Sequence, residues 1–171
     1  MPRGLKQTSD LIAVSGSLTE SAANTFTQGQ TDLALDALNN EVFVVTAIDI
    51  QTSSPDLDAT GNSAVTAALS TTSRTSVGSL ADVNTMARLT KSIRVDVGVP
   101  LAVPFIENST ETPAAQDQEW VAIIATSNFF AQIIGENNGA AKTMQFRVWG
   151  YRAQASASTY AALVQSEVLS A

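Results

Sequence analysis

The stretch TMQFRVWGYRAQAS (residues 143–156) alternates with a period of two. Met144, Phe146, Val148 and Gly150 fall on one side of an extended chain, and Gln145, Arg147, Trp149 and Tyr151 on the other. The first side reads as core. The second mixes Arg with Trp and Tyr, too apolar for a plain wet face and too polar for a plain core. EVFVVTAIDIQ (residues 41–51) is the clearest further strand, because its β-branched residues resist helix and suit a pleated sheet. SIRVDVGVP (residues 92–100) places Ile93, Val95, Val97 and Val99 opposite Arg94 and Asp96. EWVAIIATSNFFAQIIGENNGAAKTMQFRVWGYRAQA (residues 119–155) reads as three strands, the last two joined by a hairpin turn at GENNG, Gly135 to Gly139.

Short strands at irregular spacing, with long turn-rich loops, predict an all-β antiparallel sandwich of two sheets and not alternating βαβ units. About eight strands fit a single jelly roll. Residues 1–31 are weakly patterned and read as an extended N-terminal arm holding at most one short strand. Residues 32–155 form the sandwich, and 156–171 the C-terminal segment. Asp32–Leu38 reads as a strand, with a helical turn as competitor. Residues 63–80 read as one or two strands, and residues 80–90 as a loop or short helix. Pro100 and Pro104 confine their neighbourhood to an edge or bend. In the C-terminal segment, Ser158 is placed to cap a short helix with Tyr160, Leu163, Val164 and Val168 on one face.

The chain has 171 residues, no cysteine and no histidine. Disulfides and thiolate metal sites are therefore excluded, and so are the commonest general base and metal ligand. Nine basic against sixteen acidic residues give a net charge of −7, which disfavours electrostatic attachment to nucleic acid. No apolar run is long enough for a transmembrane helix, and no signal-peptide pattern is visible. Charged residues make up only 15% of the chain, against about 25% in typical domains. A charge-poor surface rich in small and neutral polar residues suits extensive packed interfaces. A monomeric domain with a Ser/Thr-rich surface is the plainer alternative.

Motifs for chemistry are scarce. GENNGAAKT (residues 135–143) resembles a phosphate loop superficially. Two alanines separate Gly139 from Lys142, and a strand follows where a helix N-terminus is needed. Asp56 and Asp58 could join a calcium site between subunits, but Ala67 stands where a helix–loop–helix calcium loop needs Glu. The serines have no histidine to activate them. Glu107, Glu111, Asp117 and Glu119 flank loops and read as solvated carboxylates, not a hydrolytic pair. Asn108 opens an NST sequon. No enzyme, cofactor or metal is expected. Arg147 and Trp149 are adjacent on one strand face, where guanidinium and indole can meet. Arg147, Trp149, Tyr151 and Tyr160 are the candidate subunit-interface residues. The other readings of that face are packing under the chain's own C-terminal segment, and a platform for a sugar or small ligand.

The order of loose arm, strand EVFVVTAIDIQ, Pro-flanked middle strands and the closing pair EWVAIIATSNFFAQII and AKTMQFRVWGYRA resembles the small single-jelly-roll coat (capsid) proteins of non-enveloped icosahedral viruses. The resemblance covers residues 32–155. It implies a subunit of a virion shell that packs side by side with copies of itself, with arm residues tying neighbours together. Many such proteins carry a strongly basic arm. Here Arg3 and Lys6 stand against Asp10, so direct nucleic-acid binding is not expected. An internal membrane or other capsid proteins would be the partners inside the shell. The alternatives are a carbohydrate-binding or adhesin-like sandwich and an extracellular filament subunit built by strand exchange.

Overall fold

The computed structural model describes residues 4–57, 61–95, 105–111 and 119–169, with 105–111 described as backbone. Ten strands and one helix follow in chain order. They are β1 (Leu5–Gln7), β2 (Ile12–Thr19), β3 (Thr27–Asp32), β4 (Glu41–Thr52), β5 (Ser63–Ser70), β6 (Thr85–Arg94), β7 (Phe105–Glu111), β8 (Ala122–Ile124), β9 (Asn128–Glu136), β10 (Thr143–Ala155) and α1 (Ala157–Leu169).

Two five-stranded antiparallel sheets form the sandwich. The first runs β10–β4–β8, with β1 and β2 sharing the free side of β10. The second has the order β3–β9–β5–β6–β7. Pairing is nested. β2 pairs β10, β3 pairs β9, β4 pairs β8 and β5 pairs β6. A long hairpin rolled upon itself gives this pattern, which is the eight-strand jelly roll. β1 and β7 are additions at its edges.

The core lies between the sheets. Phe43, Val45, Met144, Phe146 and Val148 from one sheet meet Val65, Ala67, Leu69, Phe129 and Ile133 from the other. Phe129 and Phe146 cross edge to face, with ring centroids 5.7 Å apart. This arrangement matches the ring quadrupoles. Two glycines give the rings room. A Cβ on Gly16 would stand 2.5 Å from the Phe146 ring. A Cβ on Gly150 would fall inside contact distance of the Val44 carbonyl and the Phe43 ring.

The structure departs from the sequence reading in several places. The expected arm over residues 1–31 is, in its described part from residue 4 on, no loose segment, since β1, β2 and β3 are built into the two sheets. The alternation of Ile12, Val14 and Leu18 with Ala13, Ser15 and Ser17 carries β2, and small residues mute that signal. Residues 135–143 form no hairpin, because β9 and β10 lie in different sheets and the turn crosses between them. Its tight bend uses Asn137 at φ 52°. Asp32–Leu38 is not a strand. β3 ends at Asp32, and a single 3-10 turn over Ala37–Asn39 follows, its N–H at Leu38 donating to the Asp36 carboxylate. The helix is capped two residues before the expected Ser158 and begins at Ala157. Ser156 Oγ accepts from Thr159 N–H at 3.3 Å, so Ser156 is the N-cap. Tyr160, Leu163 and Val164 face the sheet as expected, but Val168 is exposed and Glu167 is buried in its place. Val97, Val99, Pro100 and Pro104 lie outside the described residues.

Deleting residues 1–31 removes three paired strands. The expected outcome is a chain with no cooperative thermal transition by circular dichroism. A truncated chain that melts like the full-length protein would show these strands to be dispensable. Gly150→Ala is expected to cost about 1–3 kcal/mol by overpacking, measured by urea denaturation.

Candidate functional site

The outer face of the first sheet is divided in two. Over one half, α1 covers Leu5, Val42, Val44, Ala153 and Ala155 with Tyr160, Leu163 and Val164. Tyr151 belongs to this cluster. The Tyr160 hydroxyl reaches the Ala125 carbonyl at 3.5 Å. Burial pushes the Tyr151 hydroxyl pKa up, and the Glu119 carboxylate adds to the shift. Tyr151 and Tyr160 are thus brought together by packing within the chain.

Arg147 and Trp149 lie beyond the helix, on the uncovered half. The Arg147 guanidinium sits 5.7 Å from the centroid of the Trp149 ring, a cation–π contact of about 0.5–1 kcal/mol at such an exposed site. Arg147 Nε also donates to Ser15 Oγ at 3.2 Å. Alongside runs a shallow groove of about 420 Å³ lined by Ser15, Ser17, Asp49, Gln51, Gln145 and Arg147.

A second surface is absent from the sequence-based candidates. Residues 71–84 fold over the outer side of the second sheet. Gln28 Oε1 accepts from Arg74 N–H and Gln132 Oε1 from Gly78 N–H, at 2.8 and 2.9 Å. Arg74 pairs Asp82 at 2.9 Å, and Asp82 Oδ2 accepts the Ser79 N–H. Held this way, the loop leaves Leu80 and Val83 exposed, Val83 at 87%. Val83 shares a groove with Trp120, which is 41% exposed, and with Leu163 of α1. Exposed Val168 lines the neighbouring groove with Phe130. Glu167 anchors the helix here, accepting N–H groups of Ala125 and Thr126 at 3.0 and 3.1 Å. Burial raises its pKa, more than the N–H groups of Ala125 and Thr126 lower it. The sequence signal for the surface was Trp120 just ahead of a short strand; the loop that completes it has no periodicity.

The loops at one end of the sandwich are tied by polar side chains. Buried Glu20 accepts N–H groups from Gly135, Lys142 and Thr25. Asn138 and Asn24 exchange bonds of 2.8 Å. Lys142 Nζ donates to Asp56 Oδ1 at 2.6 Å, and Gly139 N–H to Asp56 Oδ2 at 2.9 Å. Both Asp56 oxygens therefore hold the β9–β10 turn, and Lys142 braces a carboxylate instead of facing a phosphate. Asp58 and Asp117 lie outside the described residues, and Glu119 is exposed. Among the described residues, no group of three or more acidic side chains converges on a metal position. No family model matches this chain, and no curated protein matches it.

The Lys142 hydrogen bond, followed by the Gly139 N–H, holds the Asp56 pKa below its ordinary value of 3.8. A depressed carboxylate stabilises the fold above its unfolded pKa and loses that contribution as pH falls through the folded value. Asp56→Asn should therefore be less stable than wild type near neutrality. The gap in urea midpoint should close below about pH 4. A gap that persists unchanged in acid would refute the ion pair's role.

Proposed function

We propose that this protein is a self-assembling shell subunit, of the kind that coats a non-enveloped icosahedral virus. The observation that carries the reading is the apolar flank of the jelly roll, where Val83 and Trp120 stand exposed over a shared groove. Monomers seldom leave large contiguous apolar patches in water. Trp is among the residues that dominate binding energy at interfaces. A low charged fraction of 15% adds to this, since charge is depleted at the centres of interfaces. The shell would be the protein's location, and copies of itself its first partners. An acidic chain leaves contact with the genome to other capsid proteins or to an internal membrane.

A carbohydrate-binding sandwich is the second reading. The polar groove beside Arg147 favours it, with Asp49, Gln51 and Gln145 offering both donors and acceptors. Arg147 already covers one face of the indole, which weakens stacking on a sugar ring.

Purified protein at high concentration is expected to form large particles by light scattering and negative-stain microscopy. Val83→Asp and Trp120→Asp should reduce particle formation sharply. The Val83 substitution should change folding stability by only about 0.5 kcal/mol or less. A wild-type protein that stays monomeric at every concentration would overturn the shell reading. Glycan-array binding lost in Trp149→Ala would establish the second.

A further inference from the structure

We infer that the free edge of β2 is a strand-pairing surface for a second copy of this chain, the two β2 strands lying antiparallel across a twofold axis. The inference rests on the self-assembly reading and names one of its contacts. β2 pairs β10 on one side and, among the described residues, no strand on the other. An open edge is a template for another strand, and folded proteins usually blunt it with charge, proline, a bulge or shortness. β2 has none of these. Its sequence IAVSGSLT spans eight residues without a charge or a proline. Its register against β10 runs unbroken from Thr19 opposite Thr143 to Ile12 opposite Gly150.

The other edges are protected. β8 has only three residues. β7 carries Glu107 and Glu111. β3 ends on Asp32, whose carboxylate accepts from Gln30 at 2.8 Å.

The side chains of β2 suit a copy of β2. Ala13, Ser15, Ser17 and Thr19 point outward and are exposed, and all are small. They put nothing in the way of an approaching strand. Ile12, Val14 and Leu18 point inward but are only partly buried, unlike their fully buried neighbours Met144 and Val148 on β10. A strand laid against the edge covers them. Across a twofold axis the same patch meets itself. Apolar residues then face apolar ones inside, small residues face small ones outside, and no like charges meet along the pair.

An eight-residue strand pair alone buries less than the ~1,000 Å² of a stable interface. The contact is therefore weak between isolated subunits and forms where other contacts, such as the Trp120 groove, hold neighbours in place.

The chain contains no cysteine, so an introduced one reports a single position. Ala13→Cys, Ser15→Cys and Ser17→Cys are oxidised mildly at assembling concentrations, alone and in pairwise mixtures. Opposed residues on antiparallel strands have Cβ atoms about 4.5–5.5 Å apart, close enough for a disulfide with slight adjustment. A disulfide-linked dimer is expected from the preparations that share one register, and from no others. Gln51→Cys, on the outer face of interior strand β4, should stay unlinked. Linkage at all positions alike, or at none while wild-type protein still forms particles, overturns the edge contact and leaves the shell reading standing. Register-specific dimers without any larger particle support the edge contact and sink the shell. Monomers with no linkage sink both. In parallel, Ser17→Lys, which faces neutral Gln145 on β10, should weaken assembly several-fold with its melting temperature unchanged.

Discussion

The sandwich depends on the pairing of β2 with β10. These two strands lie at opposite ends of the chain, with Thr19 opposite Thr143 and Ile12 opposite Gly150. The pairings of β3 with β9, β4 with β8 and β5 with β6 nest inside theirs. β10 is the long central strand of the first sheet and holds β1 and β2 on one side and β4 on the other. It also supplies Met144, Phe146 and Val148 to the core. Removing its alignment would leave the first sheet without a spine and Phe129 without its ring partner. Gly16 and Gly150 protect that alignment, because each keeps backbone close to a phenylalanine ring that a side chain would displace.

Division of the outer face follows from the same strand. Beyond Trp149, β4 carries one extra residue opposite β10, and the Thr46 hydroxyl closes the gap by donating to the Trp149 carbonyl at 3.2 Å. On one side of this irregularity the sheet shows water Arg147, Gln145 and Asp49. On the other it shows α1 the valines of β4 and the alanines of β10. Tyr151 is the first outward residue past the boundary, which is why it packs under the helix while Trp149 stays half-exposed.

Strand alternation was legible wherever side chains were large. β4 and β10 stand out because Val, Ile, Phe and Met mark one face. β2 is nearly as regular, but its outward positions are Ala, Ser, Ser and Thr and one inward position is Gly16, so hydrophobicity alone marks it faintly. Pairing partners were not legible. GENNG has the residues of a hairpin turn, and only the tertiary structure decides that the chain crosses to the other sheet. The same limit applies to the candidate surfaces. Arg147 and Trp149 announce themselves by composition and spacing. The Val83–Trp120 groove joins residues from a turn, a strand approach and a helix, and its shape comes from Gln28 and Gln132 fixing a loop by its backbone. No periodicity records such a contact.

The nested order also has a bearing on synthesis. At roughly 5–20 residues per second, the ribosome delivers β10 on the order of ten seconds after β2. Throughout that interval Ile12, Val14 and Leu18 have no sheet to join, and the strands destined for the first sheet lack their central member. The first sheet is therefore expected to be completed only once β10 has emerged, with the nascent chain relying on chaperones until then to avoid premature association.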